Sequence, residues 1–136
     1  MKPGQLSEHF YRDEFSCPCN CGFDTVDAEL IRVLETTHSY FSDRYQTKAR
    51  IIINSGCRCQ AHNSSIGGAA RSVHMLGKAA DIVIEVYLSG GWVIVHADDV
   101  SFYLNRTYTE SYGIGRYYKF THLDVRSKYA RWDKRI

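Results

Sequence analysis

The stretch RSVHMLGKAADIVIEV, residues 71–86, decides how this chain folds. His74 and Asp81 stand seven positions apart, with Gly77 between them and an apolar run after Asp81. A helix brings side chains together at i and i+4, so seven residues through a glycine is not the helical arrangement. The stretch reads as a loop carrying His74, a turn at Gly77 and a strand that begins at Asp81. Both side chains reach one point only if the fold closes around them.

Along a strand, alternate residues share a face. ADIVIEV places Asp81, Val83 and Glu85 on one side, with Ile82, Ile84 and Val86 on the other. FTHLDVR (120–126) places Phe120, His122, Asp124 and Arg126 together, with Thr121, Leu123 and Val125 opposite. The second set in each strand is the core face. If the strands are neighbours, His74, Asp81 and His122 converge on the other face. Two imidazoles and a carboxylate with a free fourth position suit a catalytic zinc, which lowers the pKa of its water. The plainer reading is hydrogen-bonded structural histidines, and spacing alone leaves both open. His9, His38, His62 and His96 have no comparable partners and read as structural or surface residues.

Residues 24–45 have helical spacing at Leu30, Ile31, Val33, Leu34, Tyr40 and Phe41, with Thr25 or Asp27 as candidate caps. ARIIINSG (49–56) reads as a short buried strand. Residues 57–79 read as a long loop, which in a small domain signals either function or a missed element. ADIVIEVYL is the second strand, WVIV is ambiguous, and HADDVSFYLNRTY has helical spacing at Val100, Tyr103 and Leu104. YGIGRYY and FTHLDVR read as two short strands. The expected architecture is α+β, a small, mostly antiparallel sheet with flanking helices, in one domain over 1–136 whose residues 1–23 form an irregular lead.

The 136 residues are 44% hydrophobic and 24% charged, ordinary for a globular protein with a real core. A formal charge of +2 gives no clustered basic excess, so no nucleic-acid partner is expected. The basic stretch RSKYARWDKR (126–135) reads as a solvated end. No apolar segment follows Lys2 as a signal peptide would require, and no run approaches the roughly 18 apolar residues of a membrane span. The expectation is a protein made in the cytoplasm, monomeric and not inserted in membranes. Cys17, Cys19 and Cys21 form one group and Cys57 and Cys59 another. Their odd number and the missing secretory signal argue against a disulfide framework, and C-x-C is not the usual zinc knuckle. Neighbouring free thiols are the first reading; a second metal site or one disulfide between the groups stays open.

The string SGCRCQAHNSSIGGAARSVHMLGKAADI (55–82) resembles the core signature of the zinc D,D-peptidases of bacterial cell walls. These include D-alanyl-D-alanine carboxypeptidases, murein endopeptidases and phage endolysins, and they share a fold with the hedgehog signalling domain. Ser55, Gly56, Arg58, Asn63, Gly67, Gly68, Ser72, His74, Gly77, Ala79 and Asp81 stand at the motif's places. YGIGRYYKFTHLDVR (112–126) is similar to the family's second segment, and EHFYRDEFSCPCNCGF (8–23) to the lead of its phage and prophage members. The similarity covers about residues 7 to 126.

The resemblance implies that His74, Asp81 and His122 ligate one catalytic Zn2+, and that Arg58 grips the substrate through its planar fork. Ser72 then binds a substrate backbone group or braces the loop that carries His74. Several branches of the family place a carboxylate three residues before the last histidine ligand, where this chain has Lys119. Asp124 is the nearest candidate general base, or it orients a ligand; Glu85 is a more distant candidate. A shift of two residues would make Asp124 the ligand and His122 the proton handler, and zinc's affinity for imidazole favours His122. Tyr112, Tyr117, Tyr118 and Trp132 are candidate cleft aromatics. The implied activity is zinc-dependent hydrolysis of an amide in peptidoglycan stem peptides or cross-links, by an endolysin-type enzyme released to the wall through a phage holin. The alternative is a binding module that keeps zinc for structure and docks on the wall or on a virion protein.

Overall fold

The computed structural model describes residues 2–135; Met1 and Ile136 lie outside the described residues. The chain runs through α1 (Ala28–Tyr45), β1 (Ala49–Ser55), α2 (Gln60–Ser65), β2 (Ala79–Leu88), β3 (Gly91–Ile94), α3 (Ala97–Thr107), β4 (Gly113–Arg116), β5 (Thr121–Asp124) and β6 (Ala130–Asp133). The α+β expectation holds. Six strands form one sheet in the order β1-β2-β5-β4-β6, with β3 beside the far end of β2, and only β4 and β6 run parallel.

The helices form where an apolar stripe and a cap coincide. Asp27 accepts a hydrogen bond from the Glu29 N–H at 2.8 Å and starts α1, which buries Leu30, Ile31, Val33, Leu34, Thr37, His38 and Phe41. His96 caps α3, which buries Val100, Ser101, Tyr103 and Leu104. Both helices pack on the sheet face that carries Ile82, Ile84, Val86, Ile114 and Leu123, and these side chains share one buried cluster. The opposite face of β2 and β5 is left to Asp81, His122 and Asp124. Strand β1 is a sheet edge with alternating exposure, and Ile52 remains 36% exposed, so it is half-buried rather than buried.

Three stretches differ from the sequence reading. The loop over 57–79 contains α2 and a 3₁₀ turn over Val73–Leu76. Helix α2 (QAHNSS) buries only Asn63, so it has no apolar stripe by which periodicity could find it. The basic end is not simply solvated, because Ala130–Asp133 adds β6 parallel to β4. Arg131 anchors that strand: its Nε donates to Asn105 Oδ1 at 2.5 Å, and its Nη atoms donate to the carbonyls of Tyr112 (2.7 Å) and Tyr108. The lead holds a 3₁₀ turn over Arg12–Phe15 and places Phe10 and Phe15 in the core.

Candidate metal centre and cleft

Register builds the site. Asp81 pairs with Ser55 on one side and His122 on the other, His122 pairs with Gly115, and Gly115 pairs with Trp132. One row of residues therefore crosses five strands. His74 reaches this row from the 3₁₀ turn, which closes at Gly77 with φ +68°, a left-handed conformation that glycine adopts without a steric penalty. Ser72 braces the turn by accepting the His74 N–H at 3.3 Å.

His74 Nε2 lies 3.3 Å and His122 Nδ1 3.0 Å from the same Asp81 Oδ1. Ligands about 2.0–2.1 Å from a tetrahedral zinc lie about 3.3–3.4 Å apart, so this spacing fits the ion. The outer nitrogens are also satisfied. His74 Nδ1 bonds the Gly56 carbonyl at 2.6 Å, and His122 Nε2 bonds Asp124 Oδ2 at 2.7 Å. With Nε2–H donated to that carboxylate, the ring is held with Nδ1 turned inward to Asp81. All three residues are buried. Burial by itself would raise the Asp81 pKa, but hydrogen bonds from His122 and His74 outweigh it and hold the carboxyl well below the usual range.

Asp124 sits on the outer side of His122. It is wholly buried and does not line the cleft. Arg126 grips it with Nε at 2.8 Å and Nη2 at 2.6 Å, and its backbone N–H adds a third bond at 3.1 Å. Burial raises the Asp124 pKa, yet His122 and Arg126 together hold it well below the carboxylate range. Gly113 makes room for this cluster, since a Cβ there would meet the Asp124 carboxylate at 2.4 Å. Glu85 is away from the site, paired with Arg50 at 2.7 Å. Lys119 and Tyr118 line a separate apolar cavity.

The converging atoms of His74, Asp81 and His122 open into a cleft of about 650 Å³ lined by Arg58, Ser72, Tyr117, Arg126 and Trp132 among others. Arg58 is held by Ser55 Oγ (3.2 Å) and Asn63 Oδ1 (3.2 Å) and points Nη2 at Asp81 Oδ2, 3.4 Å away. Tyr117 and Trp132 fulfil the aromatic expectation, and the Trp132 indole donates to the Tyr117 hydroxyl at 3.0 Å. Tyr112 is elsewhere, donating to Glu29 at 3.1 Å. Arg71 and Lys134 also line the cleft, and neither makes an ion pair among the described residues. Sequence reasoning missed both, because isolated surface cations carry no spacing signal. Arg126 was visible as a member of the His122 face, without its role.

His9 and His38 are tied in structurally. His9 stacks on His38 with ring centroids 3.7 Å apart and bonds Glu35 at 2.6 Å, while His38 Nε2 meets the Ala49 carbonyl at 2.8 Å. These contacts fasten the lead to α1 and give His9 and His38 the structural role expected of them.

A family model described as Peptidase M15 matches residues 8–124, a span that contains Arg58, His74, Asp81, His122 and Asp124. No curated protein matches the chain. No helix among the described residues is long and apolar enough to cross a membrane.

Proposed function

From the premise that this chain belongs to the peptidase M15 family, a family of metallopeptidases, we propose that it hydrolyses an amide bond in peptidoglycan stem peptides or cross-links, as an endolysin-type D,D-peptidase. The observation that carries the reading is the convergence of His74 Nε2, Asp81 Oδ1 and His122 Nδ1 at zinc-ligand spacing.

A zinc ion bound there supplies Lewis-acid polarisation of a carbonyl and a water of lowered pKa. The chain's own residues bind and position. Asp124, fixed by Arg126, accepts from His122 Nε2 and so orients the ring with Nδ1 toward Asp81; burial and that ion pair favour this role over proton transfer. Arg58 presents its guanidinium beside the ligands to a substrate carboxylate or carbonyl, held in place by Ser55 and Asn63. Ser72 braces His74. Arg71 and Lys134 give the cleft a positive character that suits the carboxylates of stem peptides. Tyr117 and Trp132 supply one wall.

The test is mass spectrometry of purified peptidoglycan fragments incubated with zinc-loaded protein, beside a chelated control. Chelator-sensitive cleavage is expected, and the product masses name the bond. Fragments left intact across several wall chemistries would overturn the reading in favour of a wall-binding module.

A further inference from the structure

Four of the five cysteines converge at the surface, away from the cleft. The Sγ atoms of Cys17, Cys19, Cys21 and Cys59 all lie within 4.8 Å of one another. Cys17 and Cys19 are 3.4 Å apart, Cys19 and Cys59 3.5 Å, and Cys17 and Cys59 3.7 Å. A disulfide requires about 2.05 Å. Four thiolates about 2.3 Å from a tetrahedral zinc have edges of about 3.8 Å, close to the spacings seen. The fifth thiol, Cys57, stands apart and donates to the Phe23 carbonyl at 3.0 Å, which accounts for the odd number.

We propose that Cys17, Cys19, Cys21 and Cys59 bind a second, structural zinc ion. Backbone N–H groups already point at three of the sulfurs: Cys59 N–H at Cys17, Phe23 N–H at Cys21 and His62 N–H at Cys59, each at 3.4 Å. Such N–H···S bonds stabilise thiolate charge and orient the ligands around a metal. Four sulfurs fill a tetrahedral shell, so no position is left for a substrate, and soft thiolates select zinc over the hard cations. Spacing gave a partial hint. The C-x-C pairs are shorter than a knuckle, but Cys17 and Cys21 enclose three residues, and only the fold brings Cys59 to them.

The ion would strap the lead to the segment that carries Arg58. Cys57 N–H already bonds the Phe15 carbonyl at 2.9 Å, and Arg58 N–H bonds the His74 carbonyl at 3.0 Å. A zinc cross-link from residues 17–21 to Cys59 fixes Arg58's neighbour directly. The proposal does not depend on the peptidase reading, because the two metal sites share no ligand.

The test is metal content and cobalt spectroscopy of the full chain. The wild-type protein should carry about two zinc ions per chain, and His74→Ala about one. Cobalt-substituted His74→Ala should keep intense thiolate-to-cobalt charge-transfer bands, which a site of imidazole and carboxylate lacks. Cys19→Ser should lose those bands, while Cys57→Ser should retain them. Because the wild-type spectrum needs no variant, poor folding of Cys19→Ser does not rescue the proposal. Absence of thiolate–cobalt bands in wild type, or a disulfide found within the cluster by mass spectrometry, would overturn it.

Discussion

Asp81 and His122 face each other directly across the β2–β5 ladder, with His122 Nδ1 3.0 Å from Asp81 Oδ1. Backbone register sets this pair, and the core enforces the register. A slip of β5 by one residue would turn Leu123 to the cleft and His122 into the core. The hydrophobic packing that stabilises the sheet therefore also holds the geometry of this pair.

Asp124→Asn separates an orienting role from a proton-transfer role. If Asp124 orients His122, zinc affinity should fall about 10–100-fold, with hydrolysis falling in step and returning when zinc is in excess. A general base would leave zinc affinity unchanged and lower kcat at saturating metal. Isothermal titration of zinc beside kcat at two metal concentrations distinguishes them.

Arg58→Lys tests the planar fork. Lysine keeps the charge but cannot match Ser55, Asn63 and a substrate carboxylate together. Loss of one charged hydrogen bond, worth about 1.5–3 kcal/mol, should raise KM about 10–100-fold, with zinc content unchanged.

Gly115→Ala tests the row of residues across the sheet. A Cβ there would meet the Trp132 indole at 2.4 Å, and that ring packs 4.9 Å from His122 and under Arg126. Overpacking of this kind costs about 1–3 kcal/mol. Denaturant unfolding should show the loss, and Trp132 fluorescence should shift as the indole moves toward water.

Glu35 makes the lead acid-sensitive. Burial would raise its pKa, but the Ser7 hydroxyl at 2.5 Å and the His9 contacts hold it below the ordinary 4.5. A depressed folded-state value means the contribution is complete above the unfolded value and is lost as pH falls through the folded one. The gap in Tm between wild type and Glu35→Gln should therefore narrow as pH falls below about 4.5. A gap independent of pH would show that Glu35 adds nothing through its charge.

Much was legible in the chain itself. Helical periodicity marks α1 and α3, alternation marks β2 and β5, and the same alternation sorts Asp81, His122 and Asp124 from the core residues. These signals are local, since each depends on side chains a few positions apart on one element. Tertiary structure decided the rest. It brought His74 Nε2 to Asp81, clamped Asp124 with Arg126, turned the basic end into β6 through Arg131 and gathered Cys59 to Cys17, Cys19 and Cys21. No one-dimensional pattern records such meetings. They depend on strand register and on the path of a polar loop, which the packing of the whole chain determines.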